Sequence, residues 1–289
     1  MAILPWIHGI RERHRYPCAA GFDSGNSGRC PHQNVTNRED PLTKQAVDIK
    51  TADGVADSHV FYPDGPGSWP AVIFFMDGLG IRPEMHAMAR RLAAAGYYVV
   101  QPNLFYRAGR SPLLDAAKVF TDKAEMGKLL RLIQMLTPDV VVRDAGAWLE
   151  FLSQQPQVKG SRVGAVGYCM GGSMVLRAAA HYPDRVVAGA SFHGGRLGAD
   201  APDSPHHLAP KIRAKLHIGL AETDDWMTPE MVDRLIAALD KAGVDYQAEV
   251  YPGTRHGWAV ADTPVYHRED AEHHWDRLLA IFRATLQAG

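Results

Sequence analysis

Apolar and polar positions change rhythm several times along the chain, and each change marks an element. Ala46-Val47-Asp48-Ile49-Lys50 alternates with period two. Asp53-Gly54 is a hairpin signal, and His59-Val60-Phe61-Tyr62-Pro63 resumes the strand rhythm. This predicts an antiparallel pair at a sheet edge. Ala71-Val72-Ile73-Phe74-Phe75-Met76 is apolar without a break, as in a strand buried on both faces. Pro83 to Gly96 has helical period and closes on glycine. Tyr97-Tyr98-Val99-Val100 predicts the next strand, and residues 103–120 a long loop or broken helix. Lys123 to Met135 predicts a helix. Thr137-Pro138 offers an N-cap and first-turn proline for another, running to about Gln154.

The second half repeats the alternation. An apolar strand, Val163-Gly164-Ala165-Val166, ends at Gly167, and a helix-forming segment begins just after Cys169. Val186-Val187-Ala188-Gly189-Ala190-Ser191 is a strand, followed by a loop rich in Gly, Pro and His up to Pro210. Ala214 to Leu220 is another strand. Thr228-Pro229-Glu230 caps a helix to about Gly243, Tyr246 to Tyr251 is the last strand, and Glu269 to about Leu286 the closing helix. Strands alternating with helices predict an α/β fold: a mainly parallel central sheet with helices on both faces. Residues 1–42 carry no period and read as an irregular arm, disordered or laid on the surface. Residues 43–289 read as a single domain.

Composition removes several functions from consideration. A formal charge of −1 gives no global attraction to nucleic acid. The longest apolar runs are too short to span a bilayer, and no apolar segment follows Arg11, Arg13 and Arg15 to make a signal peptide. Three cysteines in a chain of 289 residues imply a reducing, cytoplasmic setting rather than a disulfide scaffold. His14, Cys18, Cys30 and His32 share the arm, but their spacing fits no zinc-finger pattern, so no metal is expected. The expected partner is a small molecule, with the protein a monomer or homodimer.

The candidate chemistry centres on Gly167-Tyr168-Cys169-Met170-Gly171-Gly172. Strand, sharp turn and helix place one nucleophile between two glycines. A positive φ is expected at the nucleophile, and side chains two residues away would collide there. A thiol needs a base, and the base needs an orienting carboxylate. With the chain order nucleophile, acid, base, the base is His256, in the loop after the last strand. The acid is Asp224 or Asp225; Asp224 is favoured because it leaves Trp226-Met227 in the apolar positions before the capped helix. Met170 N–H and Gly78 N–H are the expected oxyanion donors. Asp77 stands beside the thiol site, or is an ordinary turn aspartate before glycine.

These residues resemble the dienelactone hydrolase family of cysteine-dependent α/β-hydrolases. The resemblance runs from about Gln45 to the end of the chain. It also draws on Met76-Asp77-Gly78-Leu79-Gly80 and Gln101-Pro102-Asn103-Leu104-Phe105-Tyr106-Arg107. It implies the α/β-hydrolase fold, hydrolysis of a lactone or ester through an acyl-thioester, and no metal or organic cofactor. It implies that Arg107 holds a substrate carboxylate, and that Asp77, one methylene shorter than the family glutamate, meets the resting thiol. A second family arginine corresponds to Val260, which leaves Arg82, Arg110 and Arg196 as candidates to replace it. Phe105, Tyr106, His193, Trp226 and Trp258 follow strand ends and are the expected substrate contacts; Trp226 and Trp258 read equally well as core, and His193 as a structural hydrogen-bond partner. The rival readings are a general esterase or thioesterase on the same triad, and a non-catalytic small-molecule binding protein.

Overall fold

The structure, a computed structural model, describes residues 42–287. The predicted arm, with its two cysteines, lies outside them apart from Leu42. Strands β1 (Leu42–Thr51) and β2 (Gly54–Pro63) form the predicted hairpin at one edge. Then come β3 (Trp69–Phe75), helix α1 (Pro83–Ala94), β4 (Tyr98–Pro102), α2 (Lys123–Gln134) and α3 (Pro138–Ser153). The second half runs β5 (Val158–Tyr168), α4 (Met170–His181), β6 (Val186–Phe192), β7 (Lys215–Thr223), α5 (Pro229–Ala242), β8 (Tyr246–Arg255) and α6 (Arg268–Phe282). The eight strands form one sheet in the order β1-β2-β4-β3-β5-β6-β7-β8, parallel from β4 to β8.

Full burial of β3 after Trp69, and of β4, follows from helices on both faces. One layer holds α1 and α6, joined by an Arg91–Glu272 ion pair and by Arg91 over the Trp275 ring. The other holds α3 and α4, tied by Tyr182 Oη donating to Val142 O. Thr137 caps α3 as predicted, its hydroxyl accepting from Val140 N, and Asp122 caps α2. Thr228 sits at the start of α5, but its hydroxyl donates to Glu230 Oε2 instead of capping the helix. Among the described residues no helix is long and apolar enough to cross a membrane.

The core under the carboxyl ends of β5–β8 holds three histidines. His193, His217 and His274 are buried. Tyr168 Oη donates to His274 Nε2, while His274 Nδ1 faces Ala271 O. Burial, first of all, pushes His217 down to about 4 and His274 to about 3, and it holds His193 well below its ordinary value. Each folded-state value lies below the unfolded one, so the unfolded chain binds more protons. The contribution to stability is complete above about pH 6.5 and is lost as the pH falls toward 4. Urea titrations should lose roughly 1.4 kcal/mol per pH unit for each of His217 and His274 across that window. Equal stabilities at about pH 7 and pH 5 would contradict these neutral assignments.

Candidate active site

Cys169 joins β5 to α4 with φ 54° and ψ −119°. This left-handed φ is rare for a residue with a side chain and costs about 1–3 kcal/mol, so neighbouring contacts must hold it. They act on both of its peptide groups. Cys169 N–H is shared between Phe192 O and His193 Nδ1, each at 3.2 Å. Cys169 C=O accepts from Gly172 N at 3.1 Å and Gly195 N at 3.3 Å. The turn thus leans on the segment that follows β6.

Three strand ends deliver three side chains to one place. Cys169 Sγ lies 3.0 Å from His256 Nε2, and His256 Nδ1 lies 2.8 Å from Asp224 Oδ2. The other Asp224 oxygen accepts from Trp226 N at 2.8 Å, which fixes the carboxylate. The Asp224 side chain is only 2% exposed, whereas Asp225 is exposed. Burial alone would push the His256 imidazole down. The Cys169 sulfur and the Asp224 carboxylate outweigh it and lift His256 to about 10. The site therefore favours a positive imidazole beside the sulfur.

Met170 is the first residue of α4, and Gly78 follows the end of β3. Among the described residues neither amide donates a hydrogen bond within the protein. The two segments touch: a methyl placed on Gly171 would sit 2.6 Å from Phe75 O and 2.7 Å from Met76 O. Leu129 and Ile133 of α2 lie over Gly78 as an apolar roof.

Several predicted contacts are engaged elsewhere. Both Asp77 oxygens bind Arg82, at 2.7 and 2.8 Å, and Asp77 Oδ1 also accepts from Leu79 N. Its carboxylate is committed to that guanidinium rather than offered to the thiol. Arg82 also grips Asp262, at 2.6 and 2.9 Å, so one buried guanidinium ties the Gly78 loop to the loop carrying His256. Sequence reasoning missed this clamp; the only signal was an arginine just past the Asp77–Ile81 turn. Arg107 is spent on Asp53 and Asp144. Tyr106 is buried, with its hydroxyl between Thr51 and Asp144. Phe105, His193 and Trp258 are buried, and Trp258 stacks on Tyr251 at 4.1 Å. These five therefore do not present themselves to a substrate. Trp226 is 51% exposed, and Gly195 lies against both its Cβ and His256 Cε1. A cleft of about 710 Å³ opens beside Arg82, lined by His59, Ile81, His86 and Asp262 among others but by none of Cys169, His256 and Asp224. Among the described residues no group of three or more His, Cys, Asp or Glu side chains could hold a metal ion.

Comparison with known proteins places the chain in a family and a fold. Residues 56–286 match the Dienelactone hydrolase family. A "Putative carboxymethylenebutenolidase" of Methylorubrum extorquens is 27% identical over 271 residues, covering 92% of this chain and 89% of the relative. Among solved structures, a "Putative Dienelactone Hydrolase" of Klebsiella pneumoniae superposes with a TM-score of 0.73 at 23% identity, covering 83% of this chain and 98% of its own. A dienelactone hydrolase-like promiscuous phosphotriesterase from metagenomic libraries gives 0.69 at 22% identity, covering 84% and 98%. At such identities the structural likeness speaks for the α/β-hydrolase fold.

Proposed function

This chain belongs to the dienelactone hydrolase family, and we propose that it hydrolyses a small lactone or carboxylic ester through Cys169, His256 and Asp224. The observation that carries this reading is the unbroken chain of contacts from Asp224 through His256 to Cys169, on a turn beside two unbound amides.

Cys169 thiolate attacks the carbonyl carbon. The carbonyl oxygen becomes an oxyanion, stabilised by Met170 N–H and Gly78 N–H. Collapse breaks the C–O bond and leaves an acyl-thioester. The departing oxygen takes the proton from the His256 imidazolium. The sulfur is now uncharged, so the main force that raised His256 is gone. Neutral His256 takes a proton from water, the hydroxide attacks the thioester, and the thiolate leaves with the acid released. Asp224 holds His256 in one tautomer throughout. A thiolate expels a stabilised enolate more readily than an alkoxide, which favours enol-lactones and activated esters.

Trp226 is an exposed aromatic side chain whose Cβ borders Gly195, as His256 Cε1 does. Arg107 and Val260 bear on the substrate's charge. The first is neutralised by two carboxylates and the second is buried. Of the candidate replacements, Arg82 and Arg110 are ion-paired. Arg196 is exposed, with no carboxylate partner among the described residues, and adjoins Gly195. A substrate carboxylate would have Arg196 to meet it. The shortage of free cations favours a second reading, an esterase for uncharged esters.

A panel separates the two readings. Carboxylate-bearing enol-lactones turned over faster than p-nitrophenyl acetate or butyrate support the first, and the reverse order supports the second. No turnover of any member would point to a binding protein. On the best substrate, Asp224→Asn should cost roughly 10³- to 10⁴-fold in kcat. Asp225→Asn should stay within a few-fold, and a reversal would move the acid to Asp225.

A further inference from the structure

His193 is one of the buried groups that the reaction above does not use. It is 1% exposed, so it offers almost no surface to a substrate. Its φ is 39°, a left-handed value that a β-substituted residue adopts only under constraint. The backbone is fixed there by His193 N donating to Gly219 O at 2.8 Å. The ring then reaches back to the nucleophile, where Nδ1 lies 3.2 Å from Cys169 N.

That contact sets the tautomer. A backbone N–H only donates, so Nδ1 must accept and the ring proton sits on Nε2. His193 Nε2 is buried and has no hydrogen-bond partner among the described residues. A buried unpaired donor is a cost that a phenyl ring would avoid. What the imidazole provides in exchange is a second acceptor, beside Phe192 O, on the nucleophile's own amide. The same ring also meets the base edge-on, with centroids 5.2 Å apart and planes at 68° to His256. Trp258 stands behind it at 6.1 Å. One side chain therefore touches the Cys169 backbone on one side and the His256 ring on the other.

We propose that neutral His193 is a positioning residue that sets the distance and angle between Cys169 Sγ and His256 Nε2, through its Nδ1 bond to Cys169 N–H and its packing on His256. Protonation would turn that acceptor into a donor facing a donor. Burial, and then the nearness of His256 and His274, hold the ring neutral. The role rests on the hydrolase reading above, because it concerns the same thiol.

The test compares two losses. His193→Phe keeps a ring against His256 but has no acceptor. His193→Asn gives up the ring but keeps an acceptor where Nδ1 was, and asparagine tolerates positive φ. His193→Phe is expected to lose about 10- to 100-fold in kcat on p-nitrophenyl acetate with little change in KM, as for a small misplacement of reacting groups. His193→Asn should stay within about five-fold of wild type, although its smaller side chain lowers the melting temperature at least as much. A purely structural role would make kcat follow melting temperature instead. If His193→Phe fails to fold, His193→Gly removes the acceptor without backbone strain and should show the same kcat loss. Alkylation of Cys169 by iodoacetamide should fall in the same order and needs no substrate, so it tests His193 even if no ester is turned over. Wild-type kcat and alkylation in His193→Phe would overturn the proposal, as would an equal loss in His193→Asn.

Discussion

Cys169→Ala is expected to abolish lactone and ester hydrolysis, a loss of roughly 10⁴-fold or more in kcat. The substitution removes the attacking atom and leaves everything else in place. Asp224, His256 and the two free amides still stand around the turn. Alanine also removes the sulfur whose charge raises His256, so the imidazole should titrate lower in the variant. The pair of effects is diagnostic: activity is lost, and the His256 titration moves toward its ordinary value. Initial rates on p-nitrophenyl esters and NMR titration of the histidine rings measure both. Activity near wild type would mean that another group attacks.

Gly167→Ala should be nearly as damaging, for a different reason. The turn at Cys169 brings the end of β5 against the first turn of α4. An added methyl on Gly167 would stand 2.1 Å from Gly171 O and 2.4 Å from Gly171 C. Those are backbone atoms, so no side chain can rotate to make room. Either the turn opens, and Cys169 leaves His256, or the strand end shifts and unpacks the core beneath. A destabilisation of about 3 kcal/mol or more is expected, with activity lost even in the folded fraction. Urea unfolding and specific activity are the two measurements. A variant of wild-type stability and activity would show that the turn is not built as described.

How much of this could be read from the sequence depended on the range of the interaction. Strands and helices announce themselves through local periodicity, and the order of elements from β1 to α6 follows from it. The Cys169 turn was legible because its glycines answer a local steric demand. Asp224 and His256 were legible because strand ends converge on one edge of a parallel sheet. The boundaries drifted where pairing continues past the apolar run. β8 extends to Arg255, four residues beyond its hydrophobic part, through a register shift against β7. Side-chain partners distant in sequence were not legible. Arg107 is captured by Asp53 in the hairpin turn and by Asp144, an acidic residue on the buried face of α3. Asp77 meets Arg82 because a third partner, Asp262, comes in from the other end of the chain. Trp258 follows a strand end, yet stacking on Tyr251 turns it into core.

These partners change the account of the site in one respect. With both Asp77 oxygens on Arg82, His256 is the base within hydrogen-bond reach of the thiol among the described residues, and in the proposed reaction it alone takes the thiol proton. In the proposed reaction this sulfur forms the covalent intermediate. Acid quenching of the protein within the first turnovers of p-nitrophenyl acetate, followed by peptide mass analysis, tests it most directly. One acetyl group is expected on the peptide carrying Cys169. An acetyl group on another residue, or none at a time when product is already accumulating, would contradict it.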